Sequence, residues 1–278
     1  MAKRKVKNPE EMSFLDHLED LRWHLIRSTL AIVIVGVIAF IFKDLIFGIL
    51  FAPKDPNFIT YRVLCNIASS MGMDESFCFK EIPFRIQSRQ MAGQFSAHIW
   101  TSITAGFIVA FPYVLYEFWR FISPALHAKE KSASKGFIFI ASILFFIGVL
   151  FGYYIISPLS INFLGTYQVS EEVFNDIDLS SYFGLIRASS LACGVIFELP
   201  IIMYLLTKIG LVTPEILKKY RKFALVGILI ISAVITPPDI ASQIIVAIPV
   251  MILYEVSIYI SAAVLRKQRK AEKALIKK

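Results

Sequence analysis

The chain has 278 residues, of which 56% are hydrophobic and only 18% charged. Soluble domains average roughly 45–50% apolar and about 25% charged residues, so a water-soluble globule is excluded and lipid is the solvent this surface needs. The net charge of +8 would suit nucleic acid. Its Lys and Arg, however, lie mostly in short segments between apolar runs, which is a topology pattern and implies no nucleic-acid partner.

The chain opens on a basic arm with Lys3, Arg4, Lys5 and Lys7. An amphipathic helix is predicted over Ser13–Leu25, because Phe14, Leu15, Leu18, Leu21 and Leu25 recur at helical spacing. Asp16, Glu19 and Asp20 cluster on its other side. By itself this pattern is that of an ordinary interfacial helix with a solvated face, but a plain membrane anchor carries Lys and Arg there, and acid could receive a cationic partner. The first apolar run, Trp23–Phe42, is too long for a signal-peptide core and no small-residue cleavage site follows. It is expected to stay as a signal anchor.

An extended first loop follows, Lys43–Phe95. Its Cys65 and Cys78 could pair in an oxidising compartment or stay as two thiols. Ile82–Phe95 mixes Ile, Phe and Met with Arg85 and Arg89, which predicts an amphipathic helix on the outer surface. The three cysteines show no metal-ligand spacing, and no cofactor is implied. The second run is Ser96–Ile122. Glu117 and Arg120 lie three residues apart near its end, close enough to interact on one face. The next loop is short and carries Glu130 between Lys129 and Lys131.

The third run, Gly136–Ser157, leads to a loop, Pro158–Ser181, without Lys or Arg but with Glu171, Glu172, Asp176 and Asp178. The fourth run, Tyr182–Leu206, contains Glu198, about 12 Å from its exit at 1.5 Å per residue. A carboxylate at that depth is costly and must face a bundle interior or a water-filled groove. Pro200 removes a backbone donor two residues on and predicts a kink. A basic loop with Lys208, Lys218, Lys219, Arg221 and Lys222 follows. The fifth run, Phe223–Ile235, would cover only ~20 Å. Thr236-Pro237-Pro238-Asp239 reads as a hairpin into the sixth run, Ile240–Leu265, which Ser242 and Gln243 begin and Pro249 and Glu255 interrupt.

These runs predict an all-α membrane protein of six transmembrane helices, the last two short, as one integral-membrane unit over 1–278. The basic segments fall at the N-terminus, the second and fourth loops and the tail 265–278. The positive-inside rule therefore predicts both termini in the cytoplasm and loop 43–95 outside.

The motifs also resemble a family. His17-Leu18-Glu19-Asp20-Leu21-Arg22 resembles the His-Leu-x-Glu-Leu-Arg signature before the first span of TatC proteins. Phe111-Pro112, followed by Leu115 through Leu126, resembles the run closing their second span, and Lys129-Glu130-Lys131 stands where they carry an acid beside bases. Phe197-Glu198-Leu199-Pro200 is similar to the Phe-Glu-x-Pro of their fourth span, and Thr236 through Pro249 to their last hairpin. The ordered set extends from Phe14 to Glu255.

The resemblance implies a cupped six-helix subunit of the twin-arginine translocase in the bacterial inner membrane. It implies twin-arginine signal peptides as ligands and TatA/TatB-type single-span proteins as partners in an oligomeric complex, which exports folded proteins on the proton-motive force. Asp20 and Glu130 would form the site for the arginine pair, with Glu19 beside Asp20. Phe121, Pro124 and Leu126 would shape it, and His17 and Arg22 would orient it. Glu198 would line the membrane groove, and Gln243 with Ser242 would dock a partner helix. Asp20 stands where the family usually has Glu, one methylene longer. The competing reading is a proton-coupled secondary transporter using Glu198, which predicts internal repeats that the sequence lacks. An enzyme is disfavoured because His-Glu-x-x-His and Gly-x-Ser-x-Gly patterns are absent.

Overall fold

A computed structural model describes residues 14–70, 72, 78, 84–122, 134–170, 172, 175–236 and 240–276. Among the described residues, regular structure is helical apart from two three-residue strands, and five helical stretches are long and apolar enough to cross a membrane: Leu18–Ile41, Gly93–Ile122, Gly136–Thr166, Leu179–Lys208 and Ser242–Lys270. Four of them contain or closely match the first four apolar runs. The described residues fall into two compact units, one comprising 1–46 with 98–143 and the other 47–97 with 144–278.

In the first unit, helix α1 (Phe14–Ile41) lies against the part of α4 (Gly93–Ile122) that belongs to it. The two backbones nearly touch. A Cβ on Gly106 would sit 2.6 Å from the Ile32 carbonyl oxygen and 2.8 Å from the Gly36 nitrogen. Lipid offers no hydrophobic drive between helices, so small residues that allow such close approach supply the packing. The far ends of the pair are pinned by a Phe40–His98 ring stack at 3.8 Å and by the His98 Nε2–Phe40 carbonyl hydrogen bond of 3.0 Å. At the other end Trp119 packs on Phe137 of α5 (Ser134–Phe151), with centroids 4.3 Å apart.

The second unit starts in the extended loop. Helices α2 (Lys43–Phe51), which begins in the first unit, and α3 (Ile59–Ser70) occupy it. Buried Tyr61 ties α3 down by donating its hydroxyl to the carbonyls of Pro53 (3.1 Å) and Pro158 (2.8 Å). Cys65 and Cys78 are joined, with sulfurs 1.96 Å and Cα atoms 4.6 Å apart. The amphipathic helix expected over Ile82–Phe95 is not formed by its described residues. Arg85–Gln87 is instead strand β1, paired in parallel with β2 (Asp176–Asp178). Pairing wins because Asp178 accepts the Arg89 amide and Arg89 donates to the Asp176 carbonyl. Asp178 also caps helix α7 (Leu179–Phe197) through the Ser180 amide.

The third apolar run continues from α5 through a π-helical turn, Gly152–Ile156, into α6 (Ser157–Thr166). Pro158 supplies no amide to the ladder there, and a Cβ on Gly152 would meet the Ser189 carbonyl of α7 at 2.5 Å. The fourth run is broken in two, α7 and α8 (Leu199–Lys208), at Glu198 as Pro200 predicts. After α9 (Pro214–Lys219) comes α10 (Arg221–Ile235), the 15-residue helix of the fifth run, shorter than a full span. Helix α11 (Ile240–Ile276) is longer than expected: it runs unbroken through Pro249 and Glu255 and on through the basic tail. Its neighbours explain this. Ile156, Cys193, Val246, Val250, Tyr254 and Ile258 form one buried cluster, and Tyr254 donates to the Leu217 carbonyl at 2.8 Å.

Candidate functional site

The acidic N-terminal helix and the end of the second span meet in the first unit. His24 of α1 lies 2.5 Å from Glu117 Oε2 through Nδ1, and Tyr113 donates its hydroxyl to Oε1 at 3.0 Å. Arg27 stands 3.9 Å from Oε2. Glu117 is 2% exposed, so this is a buried carboxylate held from another helix. His24, 93 residues earlier, supplies Glu117 with a contact that the single-helix spacing to Arg120 does not contain.

This clamp sets the geometry one turn further out. Asp20 precedes His24 by four residues and shares its face of α1, while Phe121 follows Glu117 by four on α4. The His24 ring meets the Phe121 ring edge-on at 6.1 Å. Asp20 is partly exposed, and Glu19 and Arg22 are exposed. The structure thus brings Asp20 and Phe121 to the same end of two clamped helices. The His17 side chain, Pro124, Leu126 and Glu130 lie outside the described residues. His24, Arg27 and Tyr113 were not among the expected site residues. Their signal was present: His24 and Arg27 follow Asp20 at i+4 and i+7, and Tyr113 precedes Glu117 by four.

Glu198 occupies the break between α7 and α8, where its carbonyl accepts from the amides of Ile201 and Ile202, each at 2.9 Å. Its side chain is buried in the interior of the second unit, and neither carboxyl oxygen has a hydrogen-bond partner among the described residues. The nearest polar group acting on it is the Phe145 backbone. A carboxyl buried without a hydrogen-bond partner carries a desolvation cost.

Ser242 and Gln243 begin α11. Ser242 is buried, and Gln243 donates its amide to the Leu229 carbonyl at 3.0 Å, joining α10 to α11 across their hairpin. Of the hairpin itself, Pro237, Pro238 and Asp239 lie outside the described residues.

Five membrane-length helices, an acid-bearing end on two clamped helices and an orphan carboxyl inside the helical core define a multi-pass helical membrane protein. The family model for the Sec-independent protein translocase protein (TatC) matches residues 16–249. The Sec-independent protein translocase protein TatC of Blattabacterium sp. subsp. Periplaneta americana (strain BPLAN) is 46% identical, with 95% of this chain and all of that one covered (100%). The TatC of Aquifex aeolicus (strain VF5) is 35% identical over the same shares, 95% and 100%. A crystal structure of the twin arginine translocase receptor TatC superposes with a TM-score of 0.67 at 33% identity, covering 90% of this chain and 99% of that one. The chain belongs to the TatC family of Sec-independent protein translocase proteins.

Proposed function

We propose that this chain is the receptor and scaffold subunit of a twin-arginine translocase, with both termini in the cytoplasm of a bacterial cell. It binds the arginine pair of a signal peptide between Asp20 and Glu130. The observation that carries this is the buried His24–Glu117 clamp, which holds the helix end bearing Asp20 against the helix end bearing Phe121. Glu130 follows Phe121 by nine residues, and in this proposal the two acids serve the same face. Guanidinium binds carboxylate through two parallel hydrogen bonds, and two held acids discriminate a pair of arginines from a single charge. Glu19, Arg22 and His17 orient the site, and Pro124 and Leu126 close it. The solved structures named twin arginine translocase receptors support the reading.

In the same proposal Glu198 serves as an intramembrane polar point in the path of the signal peptide. TatA/TatB-type single-span helices dock on α10 and α11 beside Ser242 and Gln243. The outward stripe of α10, with Phe223 71% and Val234 81% exposed, gives such a helix an apolar face.

The test is site-specific photocrosslinking in inverted membrane vesicles, with the probe beside the arginine pair of a signal peptide. Crosslinks to the regions of Asp20 and Glu130 are expected. They should be lost with Lys-Lys in the signal and with Asp20→Ala or Glu130→Ala in this chain. Crosslinks that persist with Lys-Lys, or fail to form with Arg-Arg, would remove the receptor role from these residues.

A further inference from the structure

Helix α10 stops before α11 does, and the shortfall leaves a built cavity. The 15 residues of α10 cover about 22 Å. Two contacts hold it alongside α11: Gln243 to the Leu229 carbonyl near the hairpin and Arg221 Nη2 to Glu255 Oε2, 2.5 Å, at the other end. Counted from Ser242 at 1.5 Å per residue, Glu255 lies about 20 Å along α11, Ile258 about 24 Å and Arg266 about 36 Å. The hydrocarbon layer is about 30 Å thick. With one boundary placed at Ser242, the first residue of the apolar span, the other crosses α11 between Ile258 and Arg266, beyond the Arg221 end of α10.

A cavity of about 390 Å³ sits there, lined by Lys218, Arg221, Ile258, Tyr259, Ala262 and Arg266. Three cations line it. Glu255, beside it, is already engaged by Arg221. Glu215, one turn before Lys218 on α9, lies within electrostatic reach of Lys218 and Arg269. The lining therefore keeps an excess of positive charge. Its inner wall is apolar: Ile258 is buried, and Tyr259 is 73% exposed at the level where amphipathic rings settle in a bilayer.

We propose that this cavity binds the headgroup of an anionic phospholipid. The phosphodiester lies between Lys218 and Arg266, and Ile258, Ala262 and Tyr259 receive the first acyl carbons. Local thinning of the bilayer is one way a short helix beside a long one is accommodated, and it brings a phosphate down to the level of the cavity. A zwitterionic lipid carries its own ammonium and gains less from Lys218 and Arg266, whereas a phosphatidylglycerol headgroup has no such internal partner. Basic pockets between transmembrane helices bind anionic headgroups on the same grounds.

The test is native mass spectrometry of the full chain equilibrated with equal amounts of phosphatidylglycerol and phosphatidylcholine. One phosphatidylglycerol should be retained preferentially. The double variant Lys218→Gln with Arg266→Gln should lose that preference. The control Lys267→Gln with Lys270→Gln, which removes two cations outside the cavity, should keep it. Equal retention of the two lipids by the unmodified chain would overturn the proposal whatever the variants do. Equal loss in the control would reduce the effect to general surface charge. Displacement by millimolar inorganic phosphate would make the cavity a small-anion site and not a lipid site.

Discussion

Removing the Glu117 carboxylate should cost far more than its position near a helix end suggests. Glu117→Ala leaves the His24 Nδ1 group, in a ring only 16% exposed, without its 2.5 Å partner and opens a void where the carboxylate was. Tyr113 is 41% exposed, so water can replace its lost acceptor, and Arg27, 45% exposed and 3.9 Å away, contributes little. One unsatisfied buried donor costs about 1–3 kcal/mol and breaking a buried pair about 3–5 kcal/mol, so a loss of about 2–4 kcal/mol is expected. Glu117→Gln keeps the shape and one acceptor and should lose only about 1–2 kcal/mol. The assay is reversible unfolding in mixed micelles for His24→Ala, Glu117→Ala and the double variant. Contacting residues couple by about 0.5–3 kcal/mol in such a cycle, and a coupling in that range is expected here. Additive single variants, or a Glu117→Ala cost below about 1 kcal/mol, would refute the clamp. The orientation of Asp20 relative to Phe121 would then need another support.

Gly106→Ala places a Cβ 2.6 Å from the Ile32 carbonyl oxygen, and since the atoms it meets are backbone the helices must part. A loss of about 1–3 kcal/mol, the usual cost of overpacking, should appear in the same unfolding assay, while Gly227→Ala, with open space around it, should be close to neutral. Cys65 and Cys78 close a loop of sequence separation 13, so Cys65→Ser with Cys78→Ser should destabilise the first loop by up to about 3 kcal/mol on the chain-entropy account. Thiol alkylation with and without reductant, read by mass, checks the bond itself. The Asp178 carboxyl is held below the usual range, chiefly by the Arg89 amide and then by the Ser180 amide at the start of α7. A group whose folded pKa is depressed stabilises the fold above its unfolded pKa, near 3.9 for Asp, and that contribution is lost as pH falls through the folded pKa. The Tm difference between the native chain and Asp178→Asn should therefore be full at neutral pH and vanish in acid; a difference independent of pH would contradict the cap.

Much of the fold was legible because lipid writes it in one dimension. A 20-residue apolar run can satisfy its backbone groups only as a helix, and Pro200 marks the break at Glu198 because a missing amide is a local fact. What was misread depended on partners distant in sequence. Arg85–Gln87 has the composition of an interfacial helix, but its amides and carbonyls meet Asp176–Asp178 some ninety residues on, and the ladder fixes it as strand. Pro249 suggested a short last helix. The ladder lost at one proline is a bounded cost, and α11 offsets it with a buried face that includes Val246, Val250, Tyr254 and Ile258.

The site divides along the same line. That Asp20 belongs to an acidic helix end follows from spacing, since a plain anchor would carry bases there. How Asp20 is held does not, because periodicity pairs residues within a helix and says nothing of a second helix. Glu117 shows the consequence. Within α4 the nearest opposite charge is Arg120, at an exposed spacing worth a few tenths of a kcal/mol. Packing α1 on α4 through Gly36 and Gly106 brings His24 to 2.5 Å and buries the carboxylate to 2% exposure, where its partner matters several-fold more. The same glycine contact that sets the helix spacing therefore sets the strength of the His24–Glu117 contact, and through it the position of Asp20. Gly106→Ala should consequently weaken the His24–Glu117 coupling as well as the fold, whereas a substitution in the second unit, such as Gly152→Ala, should destabilise the protein without changing that coupling.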